Sequence, residues 1–97
     1  MARIVHSPEA TEDLARLWLF LEQAAPDLAS VAIEDLVGAI EVLASHPLVG
    51  RRVAGEAREL VISRGTTGYV ALYRFEPARD VIRILRIRHQ RECGFSD

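Results

Sequence analysis

Nine side chains in the second half of the chain could act on a phosphate: Arg64, Arg74, Arg83, Arg86, Arg88, His89 and Arg91, with the carboxylates Glu59 and Glu92. Cleaving RNA through its 2′-hydroxyl needs a general base, an acid for the leaving oxygen, and positive charge on a phosphorane-like transition state. In this set a glutamate could be the base, the histidine the acid and arginine the clamp. Arginine on an exposed strand face is also ordinary edge protection, and residue types alone leave both readings open. All twelve basic residues are arginine, so guanidinium must supply every permanent positive charge.

Other chemistries find less support. His6, His46 and His89 are far apart and lack metal-ligand spacing. A single cysteine, Cys93, excludes an internal disulfide and a cysteine-based zinc site, and reads as an idle thiol near the chain end. Gly65-Thr66-Thr67-Gly68 matches the GxxG loop that clamps nucleic-acid backbones, but it falls between two strands and reads as a hairpin turn. There is no glycine-rich phosphate loop and no serine or cysteine nucleophile arrangement. No metal and no cofactor is implied.

The 97 residues are expected to form one domain, residues 1–97, with the 49% apolar and 27% charged content of an ordinary globular protein. No run approaches the ~20 apolar residues of a bilayer span, and no basic-then-apolar segment opens the chain, so the expected address is cytoplasmic, away from any membrane. The net charge of −2 conceals an asymmetry. Residues 1–48 carry two arginines against eight carboxylates, a balance of −6, and residues 49–97 carry ten arginines against six, a balance of +4. Such a division predicts one solvated face and one face for an anionic partner.

The elements that must position these residues follow from periodicity. Ala2 to His6 reads as a short strand. Ser7-Pro8-Glu9 is a helix start, with a capping hydroxyl, proline at the first helical position and acids in the first turn. A helix from Pro8 to Ala24 has the buried stripe Ala10, Leu14, Leu17, Trp18 and Leu21, leaving Leu19 and Phe20 as a second apolar surface. Pro26-Asp27 ends it and caps a second helix that runs to about Ser45, in which close helix–helix approach would account for Gly38. A polar loop, Arg51 to Ala57, leads into three strands around Leu60–Ile62, Tyr69–Phe75 and Val81–Ile87. Tyr69, Ala71, Tyr73 and Phe75 share one face of the middle strand; the last strand is either buried on both faces or bulged near Arg83 to Leu85. The expected architecture is α+β in two layers, a helical hairpin on an antiparallel sheet in the order β-α-α-β-β-β, with Leu17, Trp18, Leu36, Ile40, Tyr73 and Leu85 sharing the core.

In that order of elements, His46-Pro47 followed by Gly50-Arg51, Arg58-Glu59-Leu60, Gly68-Tyr69-Val70-Ala71-Leu72-Tyr73 and Ile84-Leu85-Arg86-Ile87-Arg88-His89 resemble the RelE/ParE superfamily of toxins from bacterial type II toxin–antitoxin pairs. The resemblance implies a small toxin held inactive by a co-expressed antitoxin that wraps its helices and sheet, in a hetero-oligomer. RelE-like members cut mRNA on the ribosome; ParE-like members poison DNA gyrase. His89 and Arg64 sit where the nuclease branch carries a histidine and an arginine, and Glu59 resembles its acidic base. The lysines of many RelE-like nucleases are missing, no tyrosine follows His89, and the Arg-Glu-Leu and Leu-Arg-Ile-x-His segments look like the ParE side. A ParE-like gyrase poison is therefore expected, with Arg74, Arg86, Arg88, His89 and Arg91 meeting the target and Leu19, Phe20 and Arg83 meeting the antitoxin. The alternatives are a ribosome-dependent mRNA endonuclease, using His89, Glu59 and Arg64, and a non-toxic interaction module of the same fold.

Overall fold

Ser7 joins the two layers. In the computed structural model, which describes residues 1–64 and 67–89, it follows β1 (Arg3–His6) and caps α1 (Pro8–Ala24). Its Oγ accepts the Ala10 N–H at 3.0 Å and donates to the Leu85 carbonyl at 2.9 Å. One hydroxyl thus satisfies an orphan helix donor and ties the helix start to the last strand. After α1, Pro26 opens α2 (Pro26–Glu41), which tightens into a 3₁₀ turn at Val42–Ala44. Ala25 is the N-cap of α2 and makes no side-chain cap bond, so the expected capping role of Asp27 is not observed; Asp27 lies in the first turn, where its charge meets the helix dipole. Gly38 is also corrected: a Cβ there would have nothing within 4 Å, so no close approach requires it.

The sheet has five strands in the order β1-β5-β4-β3-β2, adding β2 (Arg51–Ala54), β3 (Ala57–Arg64), β4 (Thr67–Glu76) and β5 (Val81–His89). The polar loop expected at Arg51 to Ala57 is mostly an edge strand and its turn. All four residues of β2 are exposed, so it carries no alternation to betray it. Backbone pairing with β3, a turn at Gly55 with φ +54°, and a 2.7 Å Arg51–Glu59 ion pair hold it. Strands β2 to β5 are antiparallel, whereas β1 joins β5 in parallel after the long excursion through both helices. The sheet is therefore mixed.

The last strand is bulged. Leu72 pairs with Arg86 and Tyr73 with Ile84, leaving Leu85 as the extra residue. Ile82, Ile84 and Ile87 consequently stay on one side, opposite Phe75, Tyr73 and Ala71. That face packs on Ala10, Leu17, Leu36, Ile40 and Leu43 to form the core. Trp18 does not belong to it. It is 37% exposed on the shoulder of the stripe, while Asp13, on the same helix side as Ala10 and Leu17, takes a buried place. Leu85, at the bulge, is only half-buried.

Tyr73 closes the far side of the core. Its hydroxyl donates to the Pro47 carbonyl at 2.9 Å and accepts the Gly50 N–H at 2.8 Å. A Cβ at Gly50 would lie 2.6 Å from the tyrosine ring, so glycine is required there by contact. Burial pushes the phenol pKa up, against the opposing effects of the Gly50 N–H and the Arg58 charge. Tyr73→Phe should therefore cost about 1–3 kcal/mol by stranding a buried backbone donor. A thermal melt should fall by roughly 4–8 °C for each of those kcal/mol. An unchanged melt would show that the hydroxyl is dispensable.

Candidate functional site

The site begins with a buried carboxylate of α1. Asp13, 2% exposed, lies where β5 runs past the end of β1. There its Oδ2 accepts the Ile87 backbone N–H at 2.9 Å and Arg86 Nε at 2.9 Å. Its Oδ1 accepts Arg16 Nη1 at 2.9 Å and Arg86 Nη2 at 3.4 Å. Burial alone would raise the carboxyl pKa; the bonds from Arg86, Ile87 and Arg16, with the Arg86 charge, outweigh it and hold the group below the usual aspartate value. Arg86, expected at the target surface, is thus engaged by α1 instead. A signal was present in the sequence: an acid three residues after Ala10 and four before Leu17 interrupts an apolar stripe.

The face of the sheet opposite the helices carries the remaining charge. Cross-strand register places Glu59 opposite Leu72, Arg83 opposite Arg74, and Arg88 opposite Val70, all on this face. Glu76 accepts Arg74 Nη2 at 2.9 Å and Arg83 Nε at 3.0 Å. The hydrogen bonds from Arg83 and Arg74 pull the Glu76 pKa down to about 2. Arg74 and Arg83 are therefore one cluster, about 13 Å along the strand from Arg88 at four residues' rise.

His89 is on the other face. It pairs with Tyr69, and the two rings meet edge-on with centroids 5.4 Å apart. Tyr69 and Leu72 are three residues apart on β4, so His89 and Glu59 project from opposite sides of the sheet. The expected pair of proton-transfer groups is not brought together. Arg91 and the side chain of Arg64 lie outside the described residues, as do Glu92 and Cys93. Among the described residues no cluster of His, Cys, Asp and Glu has metal-binding form, and no helix is long and apolar enough to cross a membrane.

On the helical layer, Leu19 and Phe20 are 61% and 57% exposed, and α2 adds exposed Leu28 and Val31. Arg83, expected to share an antitoxin contact with Leu19 and Phe20, lies across the sheet from them.

Residues 4–93 match the family model described as the ParE toxin of the type II toxin–antitoxin system, parDE. The chain belongs to the ParE toxin family. It is 40% identical over 92 residues to Toxin RelE3 of Caulobacter vibrioides, covering 95% of this chain and 98% of that protein. The fold is similar to that in the chromosomal ParDE system of P. aeruginosa, with a TM-score of 0.74 at 24% identity over 90% of this chain and 94% of that one. It is also similar to the RelBE2 toxin–antitoxin complex of Mycobacterium tuberculosis, with a TM-score of 0.62 at 25% identity over 92% and 98%.

In this ParE-family chain Asp13 couples α1 to the strand that ends in Arg88 and His89. Because its folded pKa lies below the unfolded value, its contribution is complete above about pH 4 and is lost as pH falls through the folded value. Asp13→Asn should cost about 2–3 kcal/mol, under the 3–5 of a fully buried pair because the Arg86 side chain keeps 21% exposure. Urea titrations between pH 2 and 7 should show the variant losing less stability on acidification than the parent. Equal acid sensitivity would mean that Asp13 is not the group being titrated.

Proposed function

We propose that this chain is the toxin of a type II pair, that it arrests growth by binding DNA gyrase, and that a cognate antitoxin neutralises it. The observation that carries the choice of target is the separation of Glu59 from His89. General acid–base cleavage needs both groups within hydrogen-bond reach of one phosphodiester, directly or through one water. Here Glu59 is engaged by Arg51 on one face, and His89 stacks edge-on against Tyr69 on the other. In this reading the β5 terminus works as a surface, with Arg88 and His89 as its described members and Arg91 beyond them. Arg86 holds the strand in place through Asp13.

The antitoxin reading is supported by the family and by the exposed Leu19 and Phe20. An amphipathic segment would cover these side chains. To reach Arg83 as well, it must pass around the sheet edge. The ribosome-dependent nuclease remains the second reading, favoured by the name of the Caulobacter relative.

The two targets separate in cells. With expression induced, His89→Gln should still arrest growth, because a neutral side chain of similar size keeps a contact surface, whereas Arg88→Glu should need at least tenfold more protein for the same arrest. Mapping of mRNA 5′ ends should find intact messages in both. Codon-positioned cuts that disappear in His89→Gln, with a ~10²–10⁴-fold loss of cleavage, would establish the nuclease instead.

A further inference from the structure

Beside the Tyr73 latch, the helix-facing side of the sheet carries a small cavity of about 200 Å³, lined by Leu48, Arg52, Glu56, Arg58, Phe75 and Pro77. Register puts its strand residues on one face: Arg52 pairs with Arg58, Arg58 with Tyr73, and Phe75 lies two residues beyond Tyr73. Two guanidinium groups are therefore neighbours across β2 and β3, which their like charges disfavour. Glu56 is the one carboxylate in the lining, so the cavity holds a surplus of one positive charge. Among the described residues no ion pair joins Glu56 to either arginine. Half-buried Phe75, with exposed Pro77 and Leu48, supplies an apolar wall.

Arg58 is anchored by one corner. Its Nη1 donates to the Leu48 carbonyl at 3.2 Å and to the Gly50 carbonyl at 2.8 Å, and Gly50 is itself held by the Tyr73 hydroxyl. Nε and Nη2 form the opposite edge of the planar group, and neither has a hydrogen-bond partner among the described residues. That edge is the one this chain turns on carboxylates elsewhere. Arg83 grips Glu76, and Arg86 grips Asp13, through Nε at 3.0 and 2.9 Å and Nη2 at 3.4 Å in both. Arg58 offers the same fork, set in place by two backbone carbonyls and engaged by no protein carboxylate.

We propose that this cavity binds a small organic monocarboxylate, its carboxylate in the Arg58 fork beside Arg52 and its compact apolar body against Phe75, Pro77 and Leu48. Size and charge both select that ligand. A cavity of about 150 Å³ accommodates benzene, so this one takes a single ring or a short branched chain and is too small for a peptide segment. A surplus of one positive charge matches a monoanion, whereas a dianion or a phosphodiester chain would bring further charge against Glu56. The planar fork accepts both carboxylate oxygens in parallel bonds, which a lysine cannot reproduce. The site stands apart from the β5 terminus and depends on no choice of target or inhibitor.

The probe is sodium benzoate, titrated into the nitrogen-15-labelled 97-residue chain while NMR follows the amides of Leu48, Gly50, Arg58 and Phe75. Saturable shifts confined to these amides and their neighbours are expected, with a midpoint in the millimolar range. Benzamide, of the same shape without the charge, should bind about tenfold more weakly. Arg58→Lys keeps the charge and loses the fork, and should weaken benzoate about fivefold. If that variant loses the folded spectrum, Leu48→Glu serves, because Leu48 is exposed and the new carboxylate competes for the fork; benzoate should then weaken about tenfold. Arg3→Gln, at an exposed arginine outside the cavity, should bind like the parent. No saturation, or shifts untouched by the cavity substitutions, would overturn the proposal as an adventitious ion only. Benzamide binding as well as benzoate would overturn it as an apolar recess in which the fork plays no part. Inorganic phosphate that displaces benzoate at equal concentration would make this a phosphate site instead. A tripeptide ending in a free phenylalanine carboxylate, bound about tenfold tighter than benzoate, would assign the cavity to a protein partner and overturn it as well.

Discussion

The fold hangs on how a helix closes an open strand edge. The parallel neighbour of β5 stops pairing at Ile84, so Leu85 to His89 would present unmatched backbone donors to the interior beneath α1. The Asp13 carboxylate takes the place of the missing strand by accepting the Ile87 N–H, and Ser7 Oγ donates to the Leu85 carbonyl two residues earlier on β5. A neutral acceptor would satisfy the amide; a carboxylate also recruits Arg86 and Arg16. Desolvating that charge is costly, and the three donors offset the cost only while helix and strand keep this relative placement. The interaction acts mainly as a registration device. It holds β5 to α1 two residues beyond the bulge at Leu85.

That placement divides the basic residues by function. Arg86 is engaged by the clamp and Arg74 and Arg83 by Glu76, while Arg88 and His89 lie at the strand end, the latter against Tyr69. The acidic first half and basic second half of the chain do not simply neutralise each other across the interface between layers. Asp13 links the helices to the basic half through Arg86, and the remaining helix carboxylates are exposed. Among the described residues, Arg74 and Arg83 lie toward one end of the sheet and Arg88 toward the other.

Much of this was legible in the sequence. Ser7-Pro8 marked the start of α1, strict alternation gave the faces of β4, and the breakdown of alternation at Ile84-Leu85 pointed to the bulge. What escaped has physical reasons. β2 is exposed along its whole length, so no burial pattern marks it, and the sheet forms it through backbone pairing alone. Periodicity puts Trp18 in the core because large apolar residues usually belong there, but the buried place beside Leu17 is taken by a charged residue whose partners are 73 and 74 residues away. The division between Glu59 and His89 depends on cross-strand register, which single-strand patterns do not contain.

The β5 terminus of this ParE-family chain is proposed to be a binding surface for gyrase that performs no proton transfer. Purified chain titrated into gyrase with supercoiled DNA tests it most directly, with supercoiling and covalent gyrase–DNA cleavage complexes scored together. Lost supercoiling and accumulating cleavage complexes are expected, equally with His89→Gln and much less with Arg88→Glu. Gyrase that works normally at saturating chain, while translating ribosomes in a parallel reaction lose their mRNA, would contradict it.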